Sequence, residues 1–172
     1  TTLAPSAAGD ATNLTPYPSG SGTNYLRVQT NDGDTSYVVS ANSDTYAVDL
    51  YNLGDTSLSG TINSVAITMV ARVTNTGQAS AYTVIKTSGT QYNGTAQTLT
   101  TSYASYTTTY TTNPSTGSAW TWTEVNNLQA GVALRRAGNS RLTRCTQVYV
   151  TVDYTPPVAP TVTTGAATAV EE

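Results

Sequence analysis

Apolar and polar positions alternate with a period of two in several segments of this chain. The longest such segments lie at 62–73 and 143–154, and a Thr/Tyr-rich segment at 103–112 repeats the pattern. Successive side chains of a strand point to opposite faces, so this period places the apolar residues on one face of a sheet. The sequence therefore predicts strands that each have one buried face.

Nine strands are predicted, and most are separated by short turn signals. The strands are 24–30, 35–41, 45–51, 62–73, 80–87, 95–100, 103–112, 130–136 and 143–154. Turn signals rich in Gly, Asn and Asp lie at 31–34, 52–55, 75–78, 92–95 and 137–140. Because local turns join antiparallel neighbours, we expect an all-β fold, a two-sheet antiparallel β-sandwich of jelly-roll or Greek-key type.

One short helical turn is predicted between the strands, near 123–128. Thr123 is in a position typical of an N-cap, and Ala130 is followed by a glycine that ends the turn. Val125 and Leu128 are three residues apart, so they share one face of the turn. A turn of this kind is expected to close one open end of the sandwich core.

The two tryptophans, Trp120 and Trp122, precede this turn and allow two interpretations. The chain has no phenylalanine, so tryptophan and tyrosine must fill the largest gaps in its core. In the first interpretation at least one tryptophan belongs to the core. In the second, both tryptophans form a stacking platform for a glycan, together with Tyr106 and Tyr110.

The two ends of the chain lack the period of two. Residues 1–23 are rich in Pro, Gly, Ser and Ala and predict an arm or linker, whereas residues 24–156 form the predicted sandwich domain. Residues 157–172 begin with the second proline of a pair and predict a second arm that docks on a neighbouring subunit. The residues expected to mediate assembly are Pro156, Pro157, Val162 and Val170.

The charge content limits the partners of this protein. Only 10% of residues are charged, and the net charge of −3 comes without any run of basic residues. Nucleic acid is therefore not an expected partner, because its phosphates are bound by clustered Lys and Arg. No stretch of the sequence is apolar for long enough to span a membrane, so membrane insertion is not expected either. The composition favours an extracellular location.

The residue types argue against an enzyme. The chain has no histidine, which removes the commonest general base and the commonest metal ligand. Asp49 and Asp153 lie inside predicted strands and are the pair most able to face each other across a groove, as glycosidase carboxylates do. Exposed strand positions explain them equally well, and we expect no catalysis.

Two smaller features bear on ligands and reactivity. Asp32 and Asp34 lie in the turn "NDGDTS" and are candidate oxygen ligands for Ca²⁺, although a glycine-centred hairpin turn explains them without a metal. No cofactor other than this calcium is expected. Cys145, the only cysteine, lies in a strand pattern and is predicted to be a small buried hydrophobe, with an intermolecular or reactive role as the alternative.

Two segments carry a resemblance, "LTTSYASYTTTYTTNPSTGSAWTWTEVNNLQAGVAL" (99–134) and "RCTQVYVTVDYTP" (144–156). They resemble a jelly-roll-like β-sandwich module of uncharacterised phage structural proteins and prokaryotic surface proteins, over roughly residues 24–156. The resemblance implies an externally displayed, non-enzymatic module. The tail "APTVTTGAATAVEE" (159–172) is similar to the opening of fibronectin type III-like repeats, which agrees with a parent polypeptide that continues past Glu172.

The function expected from these features is structural. A virion or an extracellular surface polymer would display the sandwich, with its terminal arms docked on copies of itself or on other structural subunits. The alternative is an adhesion domain that binds surface glycans. The two expectations differ in where they place the functional surface, on the arms or on the aromatic side chains.

Overall fold

The computed structural model of the chain describes residues 1–20, 23–40, 45–76, 79–136 and 141–159. Within these ranges the chain forms twelve strands, a 3₁₀ helix at Asn24–Val28 and one α-helix, α1, at Trp122–Asn127. The strands are β1 Thr2–Leu3, β2 Pro5–Thr12, β3 Thr15–Tyr17, β4 Tyr37–Val39, β5 Ala47–Leu53, β6 Thr61–Val73, β7 Ser80–Thr87, β8 Thr90–Asn93, β9 Gln97–Thr98, β10 Ala104–Tyr110, β11 Gln129–Arg135 and β12 Thr143–Thr155.

The strands form two antiparallel sheets in a jelly-roll order. Sheet A has the order β10-β6-β12-β4-β3, with β1 also paired to β12, and sheet B has the order β2-β5-β11-β7-β8, with β9 also paired to β7. From β4 onward, the strands other than β9 are distributed between the sheets as in a jelly roll, β4, β6, β10 and β12 in sheet A and β5, β7, β8 and β11 in sheet B. The predicted all-β two-sheet sandwich is confirmed.

The pair formed by β6 and β12 is the centre of sheet A. These two strands have thirteen residues each and run side by side over their whole length, from Thr61 opposite Thr155 to Val73 opposite Thr143. The predicted alternation is observed, because the side chains of Val65 and Ile67 are fully buried between the sheets. The end of the sandwich that contains Thr61, Thr155 and α1 is called the helix end below.

The first twenty residues differ from the prediction of a separate arm at 1–23. β1 pairs with β12 and β3 pairs with β4 in sheet A, whereas β2 pairs with β5 in sheet B. β1 and β3 are short and β2 is irregular, and they lie at sheet edges. Pro5 and Pro16 are tolerated there because an edge strand needs fewer backbone donors. Leu3 and Leu14 are buried. The segment is therefore part of the sandwich even though its sequence has no period of two.

The strand predicted at 24–30 is also wrong, because residues 24–28 form the 3₁₀ helix. A strand would place Asn24, Leu26 and Val28 on one face, but Asn24 and Val28 are buried while Leu26 is 44% exposed. The backbone turns where the Leu26 amide donates to the Thr23 carbonyl at 2.9 Å. The turn predicted at 137–140, and half of the turn at 75–78, lie outside the described residues.

Candidate functional site

Trp120 lies in the core at the helix end of the sandwich. Its side chain is 4% exposed and packs in a cluster with Val125 and Leu128 of the helical segment and with Val150 of β12. Its indole Nε1 donates to the carbonyl of Tyr110 at 3.1 Å, so the only polar atom of the side chain is satisfied. The prediction that a tryptophan and a short helix close one end of the core is confirmed.

The helix begins two residues earlier than predicted. Its N-cap is Thr121, not Thr123, and Thr121 and Glu124 form a capping box. The Thr121 hydroxyl accepts from the Glu124 amide at 3.2 Å, and the Glu124 carboxylate accepts from the Thr121 amide at 2.8 Å. The sequence "TWTE" contained this signal, since a Thr three residues before a Glu is the capping-box spacing.

Trp122 is the first residue of α1 and lies at the surface of the helix end. Its indole Nε1 donates to the carbonyl of Gly60 at 3.0 Å. Its ring packs edge-on against Tyr154, with 5.1 Å between ring centroids. These contacts connect α1 to the start of β6 and to the end of β12. Trp122 therefore packs against the end of β12, next to the point where the chain leaves the sandwich.

The four aromatic residues considered for glycan stacking do not form an open platform. Tyr106 and Tyr110 alternate with exposed residues of β10 and are partly buried against the core clusters. The structure brings Tyr110 beside Trp120, whose burial leaves no ring face for a sugar, while Trp122 is turned towards Tyr154. Burial raises the pKa of Tyr110 above its ordinary value.

The two candidate calcium ligands already accept hydrogen bonds from protein donors. Asp32 accepts from the Ser36 amide and hydroxyl and from the Thr146 hydroxyl, at 2.9–3.2 Å. Asp34 forms salt bridges with Arg72 at 2.6 Å and Arg144 at 2.9 Å. A calcium ion at this turn would have to displace these donors. Within the described residues no group of three or more Cys, Asp or Glu side chains is placed to hold a metal.

Asp34 is the centre of a row of side chains on the outer face of sheet A, called the aromatic–arginine row. Arg72 and Arg144 lie directly opposite each other on β6 and β12, and Asp34 bonds to both. Like charges at opposite positions repel, so this carboxylate is needed to place the two arginines together. The row was not predicted, because residues distant in sequence meet only through the strand register.

Aromatic rings extend the row at both ends. The Arg144 guanidinium lies 4.4 Å from the centroid of the Tyr37 ring, and Tyr37 stacks on Tyr17 with 4.8 Å between centroids. At the other end, Arg72 lies 5.2 Å from the centroid of the Tyr103 ring. Tyr17 is 50% exposed. Cation–π and stacked contacts thus join these rings and guanidinium groups into one row.

The electrostatics of the row follow from these contacts. Partial burial opposes ionisation of Asp34, but the hydrogen bonds from Arg144, Tyr103 and Arg72 outweigh it and lower the pKa of this carboxyl. Burial, together with the hydrogen bond to Asp34, raises the pKa of Tyr103 above its ordinary value. The pKa of Arg72 is also raised, because its bonds to Asp34 and Tyr103 outweigh its desolvation. Asp34 and Arg72 are therefore charged at neutral pH, and Tyr103 is neutral.

A buried carboxylate, Asp49 on β5, holds the N-terminal segment in place. It is fully buried and accepts from the amides of Asn13 at 2.7 Å and Leu14 at 2.8 Å. Its other oxygen accepts from Asn24 Nδ2 at 2.6 Å and from the Tyr51 hydroxyl at 3.1 Å. This set of contacts is called the Asp49 anchor, and it satisfies the buried charge with four donors.

The Asp49 anchor also bears on the catalytic pair considered from the sequence. Asp49 faces the interior of the sandwich, whereas Asp153 is exposed on the outer face of β12. The structure therefore does not bring the two carboxylates together. Burial, and next the charge of Asp49, raise the pKa of Tyr51 well above its ordinary value, so Tyr51 acts as a hydrogen-bond donor.

Cys145 lies in the core of sheet A, as predicted. It is fully buried and its thiol donates to the carbonyl of Gln147 at 3.3 Å. Burial raises the pKa of Cys145 to about 12, so the thiolate is absent at neutral pH. Its role in the described part of the chain is therefore packing, because the thiolate is the nucleophilic form of cysteine.

The predicted C-terminal arm leaves the sandwich at the helix end. Thr155 is the last residue of β12, and residues 155–159 are all exposed. Pro156 and Pro157 lie in this stretch, and Val158 is 94% exposed. The other two residues expected to mediate assembly, Val162 and Val170, lie outside the described residues.

Comparisons with known proteins add no identification. No protein-family model matches the chain, and no curated protein matches it significantly. Among the described residues, neither helix has the length and apolar character needed to cross a membrane. Inferences about function therefore depend on the surfaces of the sandwich itself.

Proposed function

We propose that this chain is a non-catalytic structural and assembly module, displayed on a virion or on an extracellular surface polymer. In this proposal the C-terminal segment, residues 157–172, docks on a neighbouring subunit. The N-terminal segment is not an arm in this account, because its strands belong to the sheets of its own sandwich. The resemblance to phage structural and prokaryotic surface modules supports the setting.

The observation that carries the proposal is the way the chain leaves the helix end. An isolated sandwich gains stability by burying apolar residues, yet Val158 is almost fully exposed just after β12. The same stretch contains Pro156 and Pro157, which stiffen an extended chain and direct it away from the sheet. Such a stretch presents the following residues to a partner.

The test is sedimentation velocity of the intact chain over a wide range of concentrations, beside a variant that lacks residues 157–172. The intact chain should form assemblies as its concentration rises, whereas the deleted chain should remain a monomer. A matched control replaces residues 157–172 with a Gly/Ser sequence of the same length and should also remain a monomer. An intact chain that stays monomeric at every concentration contradicts the proposal, and so does a deleted chain that assembles equally well.

A second candidate function is glycan binding. The candidate surface for it is the aromatic–arginine row and not the two tryptophans. Sugar rings stack on exposed tyrosine faces, and the half-exposed Tyr17 stacked on Tyr37 offers such a face beside Arg144. Asp34 would accept hydrogen bonds from sugar hydroxyls at the same surface. In this candidate function the aromatic–arginine row contacts the sugar. Trp120 does not, because it is buried in the core.

A glycan array, followed by calorimetry on any glycan that binds, tests the second candidate. Tyr17→Ala should abolish binding, because it removes the exposed ring. Tyr149→Ala, on the outer face of β12 and not part of the row, is the matched control and should bind as the intact chain does. Absence of binding to every glycan, or equal binding by both variants, rejects glycan recognition at this surface.

A further inference from the structure

The four outer edges of the two sheets differ in how well they are protected against another strand. β3 has three residues and contains Pro16, and β2 begins at Pro5 and has two register shifts against β5. β8 has four residues and is followed by Gly94. Short strands, prolines and bulges are the usual means of preventing edge-to-edge pairing. These three edges therefore have such protection.

The fourth edge, β10, has none of these features. Its seven residues pair with β6 in continuous register, without a bulge, from Ala104 opposite Ala71 to Tyr110 opposite Val65. The strand, "ASYTTTY", contains no charge, proline or glycine, and most of its residues are Thr and Tyr, which favour strands. In the described part of the chain β6 is the only strand paired with it. β10 is thus a regular and unprotected edge.

We propose that residues 161–170 of one copy add as a strand to the β10 edge of a neighbouring copy. This inference rests on the proposed assembly function and identifies the surface that receives the arm. The segment, "TVTTGAATAV", is uncharged and rich in Thr, Val and Ala. Backbone hydrogen bonds supply the attraction in strand addition, so an uncharged edge and an uncharged strand fit each other.

The lengths of the two partners agree. Seven residues of β10 extend for about 23 Å, and ten residues of an extended arm cover about 33 Å. The arm can therefore pair with the whole of β10. Each pair of neighbouring strands lies about 4.8 Å apart, so the added strand would continue sheet A without disturbing the core.

The geometry favours a neighbouring copy over the same molecule. A strand added to the open side of β10 would lie three strand spacings from β12, because β6 and β10 lie between them. To pair there in an antiparallel sense, the arm of the same molecule would have to cross about 14 Å and reverse its direction. Pro156 and Pro157 keep an extended backbone at the exit, and Pro160 follows in the sequence. An extended exit cannot make this reversal over a few residues, whereas a neighbouring copy needs none.

The experiment places two lysines on the β10 edge of the full chain. Ser105→Lys with Thr109→Lys introduces the charges that natural edge strands use against pairing, at two exposed positions. The matched control, Thr90→Lys with Gln91→Lys, adds the same charge at exposed positions of β8. Assembly measured by sedimentation velocity should weaken at least about tenfold in the β10 variant and stay unchanged in the β8 variant.

The outcomes separate this inference from the proposed function. If the intact chain assembles and the β10 variant assembles equally well, the β10 acceptor is wrong while the assembly function stands. If the intact chain never assembles, the proposed function itself fails. A second measurement needs no substitution: hydrogen exchange of the β10 amides in the unmodified chain should slow as concentration rises. β10 amides that exchange at the same rate in monomer and assembly contradict the inference.

Discussion

The two ends of this chain have similar compositions but different positions in the structure. Both are rich in Thr, Ala and Pro and lack the period of two. Residues 1–20 nevertheless contribute strands to both sheets, whereas residues 156–159 leave the helix end and are all exposed. Composition alone therefore does not decide whether a terminal segment packs.

The difference comes from a few specific contacts. The N-terminal segment has two buried leucines, Leu3 and Leu14, and its backbone amides at 13 and 14 donate to the buried carboxylate of Asp49. The C-terminal stretch has an exposed valine and two prolines, and prolines have no amide to donate. A terminal segment of weak strand propensity thus packs where a buried acceptor and an apolar side chain are available.

Removing the Asp49 anchor should cause the largest loss of stability among the changes that test this difference between the two ends. Asp49→Ala removes the shared acceptor of four donors, of which the Asn13 amide keeps a bond to the Val48 carbonyl and Asn24 Nδ2 keeps one to the Leu14 carbonyl. We expect a loss of about 3–5 kcal/mol in the free energy of unfolding. Urea denaturation measures it, with the exposed Asp153→Ala as the matched control that should change little. An Asp49→Ala protein as stable as the control would mean that the anchor does not hold the N-terminal segment.

Replacing the apolar side chains of the two ends should give unequal results. Leu14→Ala removes a side chain that is 5% exposed and should cost about 2–4 kcal/mol of unfolding free energy. Val158→Ala removes one that is 94% exposed and should leave the monomer as stable as before. Both are measured by urea denaturation at a concentration where the chain is monomeric. Equal losses of unfolding free energy in the two variants would contradict the claim that the N-terminal segment is packed and the C-terminal stretch is not.

A smaller effect is expected at the place where the C-terminal stretch leaves the sandwich. Gly60 has φ +114°, and a β-carbon there would lie 2.2 Å from the carbonyl oxygen of Thr155. Gly60→Ala should therefore cost about 1–3 kcal/mol and shift the exit of the chain. Gly54→Ala is the matched control, since no atom lies within 4 Å of a β-carbon at that position. Thermal unfolding compares the two variants.

The smallest expected effect concerns the pH dependence of the aromatic–arginine row. The pKa of Asp34 is lowered in the folded protein, so its contribution to stability is present above the ordinary carboxyl pKa of about 3.9 and is lost as pH falls through the lowered value. Because Asp34 is 52% exposed, solvent limits this contribution to about 1 kcal/mol or less. Asp34→Asn should thus be slightly less stable than the intact chain at neutral pH, with the difference vanishing in acid.

The long strands were predictable, because continuous alternation determines them. The segments at 62–73 and 143–154 differ from β6 and β12 by one residue at one end. The N-terminal strands were not predictable in this way, since small residues and prolines at sheet edges carry no period. One signal was present: Asp49 shares the parity of the buried Ala47 and Tyr51, so it had to lie on the inner face.

The candidate sites were predicted less well than the fold. The absence of phenylalanine favoured a core role for at least one tryptophan, one of two interpretations left open by the sequence, and Trp120 is buried. The aromatic–arginine row depends on the pairing of β6 with β12 and of β3 with β4, and no local pattern specifies which residues will be opposite. The open edge at β10 depends likewise on the order of strands in sheet A.

Hydrogen exchange of the intact chain, followed at low and at high concentration, tests the contrast between the two ends most directly. Amides of β2 and of residues 13–14 should be protected at both concentrations, because they belong to the sandwich. Amides of residues 161–170 should be protected only at the high concentration, together with those of β10. Protection of residues 161–170 that does not depend on concentration, or rapid exchange throughout β2 and residues 13–14, would contradict the account.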